Sequence, residues 1–162
     1  MDNIVIDTAT TPFIPDGLGV VAHRTNGPLV WDAEKIVFYE PERRIQVTTE
    51  NDEAFRSVIS VVAGEGVDGL DVVEQLKDKV TVNASVLDFL IKHQELIPDS
   101  WKANEEGVPL HIYFLGTIYG KPDETSENYC ACYLYWNGKY WDWSYSMLVY
   151  TWDSATVAAI IK

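Results

Sequence analysis

Residues 129–147 read YCACYLYWNGKYWDWSYSM, and the fold turns on how this stretch is parsed. Asn137 and Gly138 are the pair favoured by a type I′ turn, which needs positive φ at both central residues. Between aromatic runs they announce a β-hairpin. A two-residue loop sets Trp136 against Lys139, Tyr135 against Tyr140, Leu134 against Trp141 and Cys132 against Trp143. Side chains alternate across a strand, so the hairpin divides into two faces. Cys130, Cys132, Leu134, Trp141, Trp143 and Tyr145 form an apolar face expected to lie against the core. Ala131, Tyr133, Tyr135, Tyr140, Asp142 and Ser144 form the other, tyrosine-rich and expected to be at least half wet. Tyr133, Tyr135, Tyr140 and Asp142 are therefore the candidate binding residues.

Working outward, residues 110–119 read as a long strand with Leu110, Ile112, Phe114 and Ile118 on one face. The polar stretch 121–128, KPDETSEN, joins it to the hairpin. Together they predict a three-stranded antiparallel meander. Upstream, Thr48 and Thr49 followed by Glu50 and Asp52 resemble a helix start. Phe55, Val58, Ile59 and Val62 then recur at helical spacing, with Gly64 as a C-cap. A second helix is expected over 70–79, with Leu70, Val73 and Leu76 on one side. A third is expected over 84–94, capped by Asn83 and carrying Val86, Leu87, Leu90 and Ile91. Short strands are expected at 4–6, 18–23, 29–31 and 35–39. Asp153 and Ser154 read as the cap of a short last helix over 155–161.

The fold class expected is α+β: an antiparallel C-terminal β-meander packed against about three helices on one sheet face, with short N-terminal strands. One domain spans 1–162, with strands in 1–47, helices in 48–102 and the meander in 103–162. A chain of 162 residues that is 47% hydrophobic is long enough to bury a proper core.

The net charge of −13 argues against direct nucleic-acid binding, which relies on Lys and Arg to displace counterions. It argues equally against docking on anionic membranes. It suits solubility, or a partner with a basic surface. Glu50, Asp52, Glu53, Asp68, Asp71 and Glu74 make the middle third the acidic surface that would steer such a partner. The first residues lack the basic and apolar regions of a signal peptide, and no apolar run is long enough to span a membrane. Cys130 and Cys132, two apart on one strand, are poorly placed for a disulfide. They read as reduced, buried thiols, which points to a cytoplasmic setting. Nothing in the sequence sets an oligomeric state.

No phosphate-binding loop, dinucleotide fingerprint or nucleophile elbow is present. His23, His93 and His111 lie far apart in sequence and fit no metal spacing. No cofactor, metal or catalytic residue is expected. A dyad between His111 and Cys130 or Cys132 is conceivable only if a thiol leaves the core face. Asp142 is the most interesting acid, because it shares a face with tyrosines. The balance favours a non-enzymatic protein-interaction module of inhibitor, immunity or regulatory type, since Tyr and Trp supply rigid contact area. The alternative is a small-ligand binder, for example of carbohydrate, or an enzyme without a recognisable motif.

Leu96-Ile97-Pro98-Asp99-Ser100-Trp101-Lys102, then Phe114-Leu115-Gly116-Thr117-Ile118-Tyr119, then Tyr133-Leu134-Tyr135-Trp136 and Trp141-Asp142-Trp143 form a distinctive series. It resembles a family of uncharacterised bacterial proteins with an LIPxxWK step, a GTIY strand and a YLYW…WxW hairpin. The likeness covers roughly residues 83–161. It implies a shared structural centre at the hairpin and no activity.

Overall fold

The computed structural model describes residues 3–41, 45–49, 57–61, 67–121 and 128–162. Among them are twelve strands and two α-helices. The largest assembly is a curled sheet of β2 (Gly19–His23), β9 (Thr117–Gly120), β10 (Cys130–Trp136), β8 (His111–Tyr113), β12 (Thr156–Ile161) and β4 (Ile36–Tyr39), in that order. β11 (Trp141–Met147) pairs with β10, and β7 (Val80–Thr81) with β12. Two small antiparallel pairs form separate sheets: β1 (Val5–Asp7) with β3 (Pro28–Val30), and β5 (Ile45–Thr49) with β6 (Ser57–Val61). The chain is thus a mixed α+β fold dominated by strands.

The hairpin forms, with a longer loop than expected. Trp136 faces Trp141, leaving residues 137–140 as the connection. The Asn137 side chain sets this loop by accepting from the Lys139 and Tyr140 N–H groups at 2.9 and 3.0 Å. Gly138 takes the positive φ of 101° that the turn demands. The register is therefore offset by two residues, so that Cys130 faces Met147, Leu134 faces Trp143 and Tyr135 faces Asp142. An even offset leaves the face of every strand residue unchanged. Lys139 and Tyr140 leave their expected places opposite Trp136 and Tyr135 and join the loop, Tyr140 54% exposed.

Helices cover both faces of the sheet, rather than three covering one. α2 (Ala84–Lys92) lays Ala84, Val86, Leu87 and Leu90 against Cys130, Cys132, Leu134, Trp141 and Ile112. α1 (Gly69–Gln75) lies against the opposite face, where Val72 and the following Leu76 meet Tyr113, Ala131, Leu148, Trp152 and Ala158. Each starts on a side-chain cap. Asn83 accepts from the Ser85 and Val86 N–H groups, and Asp68 forms a reciprocal capping box with Asp71.

Three expectations are corrected. The helix expected through Phe55, Val58, Ile59 and Val62 does not form at Ser57–Val61, which pairs antiparallel with Ile45–Thr49. Thr48 and Thr49 belong to that pairing, while Phe55, Val62 and Gly64 lie outside the described residues. Both strand segments are rich in Val, Ile and Thr, which favour extended backbone. The last helix is replaced by β12, where Thr156, Val157, Ile160 and Ile161 again favour a strand. Asp153 still caps a turn by accepting from the Ala155 N–H and the Thr156 hydroxyl. The strand expected over 110–119 is broken at residues 114–116, and β8 and β9 pair with successive parts of β10.

That break has a steric cause. Gly116 approaches the start of α2 so closely that a Cβ on it would lie 2.8 Å from the Asn83 N, Cα and Cβ atoms. Its N–H donates to the Val82 carbonyl at 2.8 Å, and its carbonyl accepts from Arg24 at 2.7 Å. Thr117 accepts from the Ala84 N–H at 2.8 Å. Asn83 also donates to the carbonyls of Thr8 and Arg24, at 2.9 and 3.0 Å. The helix N-terminus is thereby bolted to the bent strand and to the N-terminal segment.

Among the described residues, no helix is long and apolar enough to cross a membrane.

Candidate functional site

The tyrosine-bearing face of β10 is completed by residues from β8 and from the turn before β12. Tyr133 is opposite Tyr113 in the sheet, and His111, two residues before Tyr113, shares its face. The ring centroids of His111 and Tyr133 are 4.8 Å apart and the rings are stacked. Tyr113 lies 5.1 Å from Tyr133, Tyr135 lies 5.8 Å from it on the other side, and Trp152 stacks on Tyr113 at 4.8 Å. His111 meets Tyr135 edge-on at 6.0 Å. The result is one continuous row: Trp152, Tyr113, Tyr133 with His111, Tyr135. Such offset and edge contacts fix ring orientation.

The row is graded in exposure. Trp152 and Tyr113 are buried beside α1, while Tyr133, Tyr135 and His111 are partly open. Burial pushes the Tyr113 hydroxyl up to about 12. Desolvation, with the Asp142 carboxylate alongside, also raises Tyr135 above its ordinary value. Tyr135 donates to Asp142 Oδ2 at 3.5 Å, the long limit for such a bond, and Asp142 Oδ1 accepts from the Trp143 N–H at 2.8 Å. A cleft of about 250 Å³ opens beside the buried end, between His111, Tyr133, Tyr150 and Asp153.

Three of the four candidate residues, Tyr133, Tyr135 and Asp142, are thus brought together, and Tyr140 stands outside in the loop. His111, Tyr113 and Trp152 join them without having been singled out as part of the face. Of the acidic set, Asp68 and Asp71 cap α1 and Glu74 pairs with Lys77 at 2.8 Å. Glu50, Asp52 and Glu53 lie outside the described residues.

The cysteines belong to the other side of the sheet. Both are buried in the cluster beneath α2. Burial pushes the Cys132 thiol up to about 12, against the Tyr119 hydroxyl and despite it. The sheet separates both thiols from His111, which ends the dyad reading. A serine and a histidine do approach elsewhere, Ser85 Oγ and His23 Nε2 at 3.4 Å. Ser85 is buried, however, and donates to the Thr10 carbonyl at 2.7 Å. His23 is held by Thr117 at 2.7 Å and the Thr8 carbonyl at 3.1 Å. This network ties the N-terminal segment to α2. Among the described residues, no group of three or more His, Cys, Asp or Glu is placed to hold a metal ion.

No family model, curated protein or solved structure matches this chain.

The residues of the LIPxxWK, GTIY and YLYW…WxW series have visible architectural uses. Trp101 is buried against Phe38 and Trp31, at 5.0 and 6.0 Å. Lys102 sits 3.9 Å from the centroid of the Trp136 ring, joining the LIPxxWK step to the hairpin. Gly116 and Thr117 seat α2, as described above. Tyr133, Tyr135 and Asp142 of the same series lie on the half-open face of the sheet.

Proposed function

We propose that the chain is a non-enzymatic protein-interaction module, and that its aromatic face is the contact surface for a partner with a basic patch. The observation that carries this reading is the half-open row of rings around Tyr133, Tyr135 and His111, ending at Asp142. Rigid aromatics lose little rotamer freedom on binding and dominate interface hot spots. A carboxylate at the end of the row, on a chain of net charge −13, favours cationic groups across the interface.

At the aromatic face, size separates this from the small-ligand reading. Small-molecule pockets run to roughly 300–1,000 Å³, and the cleft by His111 is about 250 Å³ and open to one side. It suits one side chain of a partner better than a whole ligand. A carbohydrate site remains the second reading, supported by tyrosine faces next to the Asp142 and Asp153 carboxylates.

The test is affinity capture with the wild type and with Tyr133→Ser/Tyr135→Ser, both verified as folded by circular dichroism. The proposal expects a partner that is retained by the wild type, lost by the variant and released by salt. Identical capture by both proteins refutes it. A thermal shift with saccharides in the absence of any partner transfers the face to the second reading.

A further inference from the structure

A larger cleft, of about 450 Å³, lies on the other side of the sheet. Neighbouring residues divide between the two clefts as strand alternation requires: Leu110 lines this one and His111 the first, Val157 this one and Thr156 the first. Its volume falls inside the small-molecule range. Phe38, Leu110 and Val157 give it an apolar floor, and Glu40, Glu105 and Glu106 line it with carboxylates.

The floor is rigid. Leu110 and Val157 are buried in the main core, and Phe38 is held edge-on against Trp101. The loop bearing the two glutamates is fixed as well. Asn104 Oδ1 accepts from the Glu106 and Val108 N–H groups, both at 2.9 Å, and Ala103 bridges to Pro109 across the loop base. The lysine ion pairs among the described residues lie on Glu74, Asp88 and Asp99, not on these three glutamates. A cation bound in the trough gains Coulomb energy from the carboxylates that line it.

We infer that this cleft binds a short aliphatic polyamine. The methylenes would lie on the Phe38, Leu110 and Val157 floor, and the ammonium groups would reach Glu40, Glu105 and Glu106 while the Phe38 π system attracts the charge. A metal ion would use the carboxylates and waste the floor; a neutral apolar ligand would do the reverse. Only a chain with both chemistries matches the described lining. The inference is independent of the aromatic face on the opposite side.

The probe is spermidine, titrated into the full chain by calorimetry at ~0.15 M salt, where unspecific surface attraction is largely screened. One-to-one binding is expected. Glu105→Gln/Glu106→Gln should weaken it about tenfold through loss of charge-assisted contacts. Ser100→Arg, at an exposed position on the lining, should abolish it by placing a tethered cation there. Glu74→Gln/Glu95→Gln removes the same charge elsewhere and should leave it unchanged. Absence of binding heat, equal affinity for magnesium, or equal weakening by the Glu74/Glu95 control overturns the inference. Should Ser100→Arg fail to fold, the Glu105/Glu106 pair decides alone.

Discussion

Replacing Gly116 by alanine tests how the sheet and α2 are joined. The new methyl carbon would sit 2.8 Å from three Asn83 atoms, two of them backbone. Ordinary carbon contacts need about 3.5–4.0 Å, so roughly 1 Å of separation must come from somewhere. No flexible side chain can yield it, because Asn83 is locked by its caps to Ser85 and Val86 and by its bonds to Thr8 and Arg24. Moving the strand instead would stretch the 2.8 Å bond from Gly116 to Val82 and the 2.7 Å bond from Arg24. Overpacking costs about 1–3 kcal/mol, and a weakened N-cap adds about 1. The expected loss is therefore about 2–4 kcal/mol. At about 2–4 °C per kcal/mol for a chain of this size, Tm falls by roughly 4–16 °C. Urea and thermal melts followed by tryptophan fluorescence measure it. Gly138→Ala is the companion: nothing lies within 4 Å of the added carbon, and only the positive φ resists it. It should cost about 1–2 kcal/mol. A Gly116→Ala protein as stable as wild type, or less affected than Gly138→Ala, refutes the steric account of the bent strand.

Further expectations follow from the same geometry. Asn83→Ala should destabilise by about 3 kcal/mol or more, because it removes a cap and leaves the Thr8 and Arg24 carbonyls without this donor; urea midpoints report it. Alkaline titration should weaken the fold between about pH 9 and pH 12. The unfolded Cys132 thiol ionises at its ordinary 9.0 while the folded one holds its proton to about 12, so stability is intact below pH 9 and lost as pH rises, by a few kcal/mol. Cys132→Ala should flatten that slope. Gln94→Leu should loosen the end of β11, since the amide both donates to the Trp141 carbonyl and accepts from its N–H at 2.9 Å; faster amide exchange at Trp141 is the readout.

How far the fold could be read from the chain depended on whether a feature was local. The division of the hairpin into two faces survives because strand periodicity is indifferent to a two-residue offset, even though Asn137 anchors a longer loop, but Tyr145, expected against the core, is exposed. α2 is legible because Asn83 caps it with its own side chain. The 45–61 pairing is not, because Val58, Ile59 and Val62 match helical spacing and strand composition alike. β12 looked like a capped helix because Asp153 makes the same local bonds before either structure. The break at Gly116 is set by Asn83, an approach invisible in one dimension. The aromatic face was half legible for the same reason. Tyr133, Tyr135 and Asp142 come from the hairpin itself, whereas His111, Tyr113 and Trp152 arrive through the pairing of β8 with β10 and the packing of α1.

The place of β12 also has a consequence in time. Ile36 on β4 pairs with Ile161 on β12, about 125 positions later in the chain. At a synthesis rate of about 5–20 residues per second, β4 emerges from the ribosome roughly 6–25 seconds before its partner exists. During that interval its backbone edge has no native partner strand, and other chains offer substitutes. The nascent protein is therefore most vulnerable to misassembly until β12 has been made, and chaperone dependence would be decided on the ribosome rather than in the finished fold.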